Sequence, residues 1–382
     1  MTPPALEAYP RYARERLVPL CRDRFLDSVF GGFHEQLDAR GEPLPLGTKR
    51  LIVQCRQLYV LSHAALLGDR SGASAAERGF AFLNASYRDP ANGGWFFRAS
   101  ANGEPSDRTK DTYAHAFVLF ALAYLSRAFS MPDAMELART TYDAMKTRLG
   151  APDGGFWDAG SETWDLDKRV RRQNPHMHLL EAFHALYETN GDTAWLVEAE
   201  TLLELLRTRF FDPATGTLGE FFDADWRPDP ERGHIIEAGH HFEWVWLLHR
   251  HATLTGRPVD PIADLLFATA ERHGFDPEYG GINDQMDRSG APVLTTRRIW
   301  PMTEAVKAYA VRAETGSPLR PGEPARLIER LFTDYIRPAQ LGWIETLTRE
   351  SAPALTNMPG STPYHLFLAA SEVARVFRVG SG

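Results

Sequence analysis

Several features that would assign a protein to a special class are scarce or missing here. Only two of the 382 residues are cysteine, Cys21 and Cys55, which is too few for a disulfide framework and suggests a reducing compartment. No run of about 18 apolar residues occurs, so we expect no membrane-spanning helix. The first seven residues lack the basic and apolar regions of a signal peptide. These absences predict a cytoplasmic protein.

Positive charge and the common nucleotide and nucleophile motifs are also in short supply. The 42 lysines and arginines are outnumbered by 50 aspartates and glutamates, and the net charge of −8 gives no reason to expect binding to nucleic acid or to an anionic membrane. Neither a Gly-x-Ser-x-Gly elbow nor a Gly-x-Gly-x-x-Gly or Walker loop is found. We therefore expect neither serine-hydrolase nor nucleotide-driven chemistry.

A glycine-rich turn recurs along the chain at a nearly constant interval. We take its six members, separated by 61 to 64 residues, to be Gly32, Gly94, Gly155, Gly219, Gly281 and Gly342. Most follow another glycine and precede a bulky residue, as in Gly93-Gly94-Trp95. A repeat of this length indicates one structural unit used six times.

Apolar residues at helical spacing fill the segments between these turns. They predict six pairs of helices of about 15 residues, a usual length. The predicted helices span residues 6–28, 51–66, 74–87, 111–128, 132–148, 175–190, 192–208, 238–255, 259–273, 299–314, 322–336 and 363–378. We expect the last helix to pair with the first.

Six helix hairpins predict an all-α fold and, more specifically, an (α/α)6 barrel whose inner helices surround a cavity. An open helical solenoid is the alternative. Closure is favoured because the first and last helices are both amphipathic and neither has an obvious polar cap. No low-complexity segment or long linker occurs, so residues 1–382 are predicted to form a single catalytic domain.

Polar and aromatic residues are concentrated on the predicted inner helices. The segments that combine them are Gln54-Cys-Arg56, Asn174-Pro-His-Met-His178, Gly239-His-His-Phe-Glu243, Trp300-Pro-Met-Thr-Glu304 and Pro363-Tyr-His365, together with Tyr113. Inner-helix ends converge on one mouth, so we expect these residues to meet. Such a surface suits a sugar, which stacks on aromatic rings and hydrogen-bonds through its hydroxyls. Ordinary packing is the alternative interpretation, and it is the one we expect for His241.

Three other functions are compatible with the same segments. A metal could take ligands among His176, His178, His240, His241, Glu243 and His365, but no His-Glu-x-x-His spacing or nearby cysteine supports it, so we expect no metal. Glycoside hydrolysis needs two carboxylates beside the scissile bond, for which Glu243 and Glu304 are candidates. A scaffold or binding protein would keep these polar groups buried at a cost and without a use.

At these segments the sequence resembles the N-acylglucosamine 2-epimerase superfamily, from about residue 20 to residue 376. The most specific matches are Asn174-Pro-His-Met-His-Leu-Leu-Glu181, Gly239-His-His-Phe-Glu243 and Ser361-Thr-Pro-Tyr-His365. The segments ending at Arg56 and Glu304 support them. Several members carry two tryptophans where this chain has Ile299-Trp300. The compact length, the single Trp300 and the segment ending at His365 look most like the mannose isomerase branch.

The resemblance implies an (α/α)6 barrel without a metal or other cofactor, acting on a monosaccharide. It implies that His240 and His365 are the acid/base catalysts. The residues implied to contact the sugar or to tune the histidines are Arg56, Tyr113, Asn174, His178, Glu243, Trp300 and Glu304. For Arg56, an ion pair with a core carboxylate is the alternative. We expect a monomer or a homodimer.

These residues predict an isomerase that interconverts D-mannose and D-fructose through a cis-enediolate. A histidine suits this chemistry because both of its protonation states are available near its usual pKa of about 6.5. Arg56 would stabilise the oxyanion, and Glu243, on the helical face of His240, would hold its imidazole and stabilise its charged form. A 2-epimerase of mannose, cellobiose or an N-acylated hexosamine is the alternative, because both reactions share the enediolate, and a glycoside hydrolase is the third.

Overall fold

Helices are the main elements of the computed structural model, which describes residues 3–319, 322–337 and 341–379. Three of them continue into further helical turns, and one is preceded by such a turn. In chain order the helices are α1 (Pro4–Tyr12, continued by Ala13–Leu17, Val18–Leu20 and Cys21–Phe25), α2 (Leu51–Leu66), α3 (Ala73–Tyr87, after the turn Arg70–Gly72), α4 (Thr112–Phe129), α5 (Pro132–Arg148), α6 (Gln173–Asn190), α7 (Ala194–Leu205, continued by Leu206–Phe210), α8 (Ala238–Thr255), α9 (Ile262–Thr269, continued by Ala270–Gly274), α10 (Ile299–Glu314), α11 (Ala325–Asp334) and α12 (Pro363–Phe377).

The even-numbered helices form a closed inner ring. Each packs against the next one in order, and α12 packs against α2. The odd-numbered helices lie outside, each against the preceding inner helix, and α1 covers α12. This arrangement confirms the predicted (α/α)6 barrel and rules out the open solenoid, because the contact between α12 and α2 joins the two ends of the array.

Burial explains why the two layers have different sequences. An inner helix is covered on both sides, so nearly every residue of α2 from Leu51 to Ala65 is buried and no polar face is needed. An outer helix buries one stripe only, as α11 does with Ala325, Leu327, Ile328 and Leu331. No helix of the described residues is long and apolar enough to cross a bilayer.

Short antiparallel strands, which the sequence pattern does not predict, surround the N-terminal ends of the inner helices. The pairings within the described residues are Gln36–Leu37 with Met358–Pro359; Thr48–Arg50 with Arg98–Ser100, which also pairs Pro105–Asp107; Lys110–Asp111 with Ala159–Gly160, which also pairs Leu166–Asp167; Arg171–Arg172 with Phe221–Phe222; Phe211–Asp212 with Thr217–Leu218; Gln285–Met286 with Pro292–Leu294; and Arg297–Arg298 with Thr346–Leu347, which also pairs Pro353–Leu355. The first of these pairings joins the first and last units, so the strands close the ring as well.

The glycine repeat is real, but its fourth member is misassigned. In every unit one backbone N–H after the turn donates a hydrogen bond to a carbonyl at the end of the preceding helix. The donors are His34, Phe96, Trp157, Gly219, Asn283 and Ile344. Gly219 is therefore equivalent to His34, and the residue equivalent to Gly32 is Thr217. The glycine of the fourth turn is Gly216, one residue before Thr217. Its N–H donates to the carbonyl of Asp212, just as the N–H of Gly31 donates to the carbonyl of Asp27 in the first unit. The sequence pattern pointed to Gly219 because this glycine lies only two residues after Thr217, which keeps the spacing between successive turns nearly constant.

Candidate active site

The N-terminal ends of the inner helices open onto a cavity of about 340 Å³. Among the lining residues are eight of the nine predicted site residues: Arg56, Tyr113, Asn174, His178, His240, Glu243, Trp300 and His365. The ninth, Glu304, contacts His365. Larger surface clefts of about 750 and 600 Å³ are not lined by histidine. The cavity lies within the size range of small-molecule sites and brings together the titratable side chains that the sequence singled out.

His240 and His365 pack against the same indole ring. The centroid of Trp300 lies 5.0 Å from the imidazole of His240 and 5.6 Å from that of His365. Gly239 makes this packing possible, since a Cβ atom there would lie 2.5 Å from the edge of the indole. Gly239 is thus a helical residue needed for close approach, not the flexible entry to the helix that the sequence suggested. The two imidazoles are close enough to flank one monosaccharide.

A carboxylate holds His240 in its charged form. Nδ1 of His240 donates to Oε2 of Glu220 at 2.9 Å, and Oε2 of Glu237 lies 3.9 Å away. Burial alone would lower the pKa of His240, but the attraction of Glu220, with smaller contributions from Glu237 and Glu243, raises it to about 9. His240 therefore carries a proton at neutral pH.

The role predicted for Glu243 is corrected in part. Glu220, not Glu243, binds the imidazole of His240, whereas both carboxylate oxygens of Glu243 lack a hydrogen bond among the described residues. Oε1 of Glu243 lies 4.0 Å from Nδ1 of His178 instead. Positions i and i+3 share a helical face, but Nδ1 of His240 faces the strand side while Glu243 faces helix α6. Glu243 still helps to stabilise the charged form of His240.

His365, in contrast to His240, is neutral. Its Nδ1 donates to Oε1 of Glu304 at 2.8 Å, and Oε2 of Glu304 is 2.6 Å from Nζ of Lys307. Burial, with the positive charges of Arg56 and Lys307, holds the pKa of His365 well below its usual value. The proton on Nδ1 leaves the lone pair on Nε2. His365 is thus a neutral base beside the charged acid His240.

Arg56 brings a positive charge to the cavity without a carboxylate partner among the described residues. Its Nη2 donates to the hydroxyl of Tyr113 at 2.8 Å and its Nη1 to the carbonyl of Ser361 at 3.3 Å. The guanidinium stacks over Phe117 with its Cζ 4.2 Å from the ring centroid. The alternative of a core ion pair is therefore wrong, because both hydrogen-bond partners are neutral.

Asn174 and His178 complete one wall of the cavity. Oδ1 of Asn174 is buried without a hydrogen-bond donor among the described residues, so it can accept from a substrate hydroxyl. Nδ1 of His178 is 3.1 Å from Oε2 of Glu181, which also accepts from the hydroxyl of Tyr364. Burial raises the pKa of Glu181 to about 7 and lowers the pKa of His178 well below its usual value.

The other two histidines of the predicted clusters are structural. Nε2 of His176 accepts from the backbone N–H of Phe156 at 2.9 Å, and Nε2 of His241 accepts from that of Leu218 at 3.1 Å. Each imidazole fixes the glycine turn beside its own helix. This confirms the packing role expected for His241 and removes His176 from the candidate metal ligands.

Two clusters of potential metal ligands remain among the described residues, each containing a histidine that already binds a glutamate. Ligand atoms of His178, Glu181 and Glu243 lie within 4.8 Å of each other, as do those of Glu243, Glu304 and His365. However, both histidines already use Nδ1 to bind glutamate, and the ammonium group of Lys307 pairs with Glu304. A metal cation would meet this ammonium at close range, so the donor set does not fit a metal and we assign none.

Sequence reasoning missed Glu220, although the chain carries a signal for it. The residues that follow the six equivalent turn donors are Glu35, Phe97, Asp158, Glu220, Asp284 and Glu345. Five of the six are acidic. Three of them bind an arginine that precedes an inner helix, in the pairs Glu35–Arg50, Asp158–Arg172 and Asp284–Arg298. With the fourth turn correctly aligned, Glu220 would have been recognised as the acid of its unit.

Together, the closed helical ring and the pair of histidines, one charged and one neutral, define an (α/α)6 barrel whose cavity is suited to acid–base catalysis. The sequence model of the N-acylglucosamine 2-epimerase (GlcNAc 2-epimerase) family matches residues 31–369, and the chain belongs to this family. It is accordingly an enzyme of the aldose–ketose isomerase or 2-epimerase type.

Relatives of known name agree with this assignment. The chain is 33% identical to a mannose-6-phosphate isomerase of Rhizobium meliloti (strain 1021) in an alignment of 380 positions that covers 95% of this chain and 95% of the relative. It is 30% identical to a D-mannose isomerase of Thermobifida fusca, covering 85% of this chain and 83% of the relative. A crystal structure of D-mannose isomerase superposes with a TM-score of 0.87 at 21% identity, covering 98% of this chain and all of the other, and supports the fold.

Proposed function

We propose that the protein interconverts D-mannose and D-fructose, and that residues 1–382 act as one catalytic domain. The observation that carries the proposal is the pair of imidazoles on one indole, of which His240 is charged and His365 is neutral. Such a pair suits an aldose–ketose isomerase that works through an enediol, because one group removes a proton from carbon while another protonates oxygen. The named mannose isomerases among the relatives support the choice of sugar.

The charge states assign the steps. Nε2 of His365 takes the proton from C2 of the open-chain aldose, and the electron pair of that bond forms the C1–C2 double bond. His240 gives its proton to O1, which yields the enediol. His240, now neutral, takes the proton from O2 as the C2 carbonyl forms, and His365 returns its proton to C1. The product is the ketose, and both histidines regain their starting states.

Arg56 stabilises the negative charge that develops on the substrate oxygens. Its guanidinium is fixed by Tyr113, Ser361 and the ring of Phe117, so it needs no reorganisation during the reaction. The buried Oδ1 of Asn174 accepts a hydrogen bond from a sugar hydroxyl. Trp300 offers its ring face to the substrate from the side where both histidines meet.

The charges around the cavity favour an unphosphorylated sugar. The arginines at its rim, Arg50, Arg172 and Arg298, are already paired with carboxylates. Four further glutamates line the cavity: Glu220, Glu237, Glu243 and Glu345. A phosphate dianion would meet Glu220 and Glu237 with Arg56, the single unpaired arginine among the described lining residues, rather than a cluster of arginines, to bind it. We therefore propose mannose, although one relative is named for the 6-phosphate.

Two alternatives have less support from the geometry. A 2-epimerase must return the proton to the opposite face of C2, so the imidazolium of His240 would have to protonate carbon instead of oxygen. A glycoside hydrolase needs two carboxylates beside the scissile bond. Glu304 is fully buried behind His365 and is bound to Lys307, so only Glu243 of the predicted pair faces the cavity.

The proposed reaction can be read directly by NMR. We expect [1-¹³C]mannose incubated with the protein in D2O to give fructose that carries deuterium at C1, because a histidine proton exchanges with solvent before it returns to carbon. Mannose-6-phosphate should react much more slowly under the same conditions. Glucose as the main product would replace the isomerase with an epimerase, and faster turnover of the phosphate would overturn the proposed substrate.

Replacing Glu220 by glutamine should shift the pH dependence of kcat. The raised pKa of His240, about 9, depends on Glu220, so the acid form persists in the wild type until the pH passes that value. In E220Q the pKa of His240 falls, and activity should decline by about tenfold per pH unit from a lower pH onward. The matched control is E35Q, which removes the equivalent acid of the first unit but leaves no histidine without its partner. An unchanged alkaline limb in E220Q would contradict the assigned role.

A further inference from the structure

Lys307 is a fully buried charge that the reaction as described does not use. It lies on α10 one turn after Glu304, and it is not among the residues that line the cavity. Its Nζ is 2.6 Å from Oε2 of Glu304 and lies over the indole of Trp246, 4.2 Å from the centroid. A buried ammonium is costly unless it is paired, so this position requires Glu304 to be ionised.

Three buried carboxylates face this single ammonium. Burial would lower the pKa of Lys307, but Glu304, Glu243 and Glu181 together raise it, and the ammonium stays charged. Burial raises the pKa of Glu181 to about 7 and the pKa of Glu243 well above its usual value. Among the described residues, Glu304 is the one carboxylate in direct contact with Lys307, so the ammonium stabilises the ionised form of Glu304 more than that of Glu243 or Glu181.

The other titratable groups around Glu304 come from every helix that packs nearby. Those that interact with Glu304 or Lys307 are Glu243 and His240 on α8, Glu181 and His178 on α6, His365 and Tyr364 on α12, Tyr59 on α2 and Tyr9 on α1. Burial raises the pKa of Glu304, and the charge of Lys307 is the largest influence that opposes this rise. Without Lys307, burial and the neighbouring carboxylates would raise the pKa of Glu304 further, so that Glu304 takes up a proton from solvent at neutral pH.

We propose that Lys307 is a positioning residue that sets the tautomer of His365 through Glu304. Its ammonium keeps Glu304 ionised, so that Oε1 can only accept a hydrogen bond. Nδ1 of His365 must then carry the proton, and Nε2 keeps the lone pair that faces the cavity. The catalytic consequence rests on the proposed function, in which Nε2 of His365 is the base.

The tautomer of His365 thus depends on the charge of Lys307, which lies outside the cavity. Without Lys307, Glu304 takes up a proton, and the carboxylic acid donates to Nδ1 of His365. The proton of the neutral imidazole then resides on Nε2, where it blocks removal of the substrate proton. At higher pH Glu304 loses its proton again, Nδ1 regains the donor role, and the base returns.

The test is the pH profile of K307M and K307Q, since a thioether and an amide fill the site differently and either folded variant serves. At pH 7 we expect kcat to fall by about 100-fold, within the usual range for a positioned base, with KM within about threefold of wild type. Activity should then recover by about tenfold per pH unit until Glu304 ionises. Near wild-type activity, or a loss that is equal at every pH, would overturn the proposal.

Two further variants separate this effect from damage to the fold. K110M removes an equally buried lysine, whose Nζ binds Asp89 at 2.7 Å and which does not line the cavity. This variant should have a lower melting temperature without a change in the shape of the pH profile. In E304Q the amide cannot ionise, so its activity should stay low without recovery at high pH. Recovery in E304Q like that in K307M would assign the titration to another group.

A spectroscopic measurement distinguishes failure of the proposal from failure of the proposed function. ¹⁵N NMR reports which nitrogen of His365 carries the proton, whether or not the protein turns over a sugar. We expect Nδ1–H in the wild type and Nε2–H in K307M at pH 7. An inactive wild type with this tautomer change would reject only the proposed reaction. An active wild type with no tautomer change in K307M would reject only the role of Lys307.

Discussion

H365A should lose nearly all turnover of mannose while its helical content and melting temperature stay close to wild type. In the proposed reaction the imidazole of His365 is the base that removes the C2 proton, and alanine cannot replace it. A positioned acid or base contributes about 10²- to 10⁴-fold to the rate, so kcat should fall by that factor. Substrate binding should change little, because Arg56, Asn174 and Trp300 remain. Initial rates of fructose formation and a circular dichroism melt measure the two quantities.

H240A tests the other half of the pair and should be equally impaired at pH 7. The control is H249A. His249 lies on the same helix but does not line the cavity, and its buried Nδ1 has no hydrogen bond among the described residues. H249A should affect stability more than turnover. If either H240A or H365A retained full activity, that histidine would have no place in the mechanism.

R56M should be the next most damaging change. Methionine fills much of the same space against Phe117 but cannot offset charge on the enediolate oxygens, so we expect kcat to fall by about 10²- to 10³-fold. KM should rise only modestly, because the lost interaction is strongest in the transition state. Steady-state kinetics separates the two parameters.

R171M is the matched control for R56M. Arg171 is also buried and stacked on aromatic rings, with its Cζ 3.9 Å from the centroid of Trp157, but it binds Asp153 and does not line the cavity. Its loss should lower stability and spare kcat. Equal losses of kcat in R56M and R171M would reduce the role of Arg56 to packing.

The helical layers were readable from the sequence because apolar spacing is a local property. Several boundaries match the structure, including those of α2, α8 and α10. Helix α6 begins at Gln173, two residues earlier than predicted, because Pro175 is tolerated in a first turn where no N–H bond is lost. The strands escaped notice because two or three residues are too few to establish an alternating pattern.

Within the site, the sequence located the side chains but not all of their partners. The histidines stand in recognisable segments, whereas their hydrogen-bond acceptors are separated from them by 20 residues for Glu220 and 61 for Glu304. Glu304 was found because it shares a segment with Trp300. Lys307 was not, because a lysine on an amphipathic pattern normally faces solvent, and only the closed ring reveals that this one is buried.

The closing contact between α12 and α2 has a consequence for biosynthesis. Helix α12 leaves the ribosome after the other five inner helices, and until then α2 and the strand Gln36–Leu37 have no neighbour on one side. The nascent chain therefore exposes the flank of α2 that α12 covers in the folded barrel. Because α12 also carries His365, the contact that closes the ring also completes the pair of histidines on Trp300. In the proposed reaction, a partly synthesised barrel would therefore lack its base.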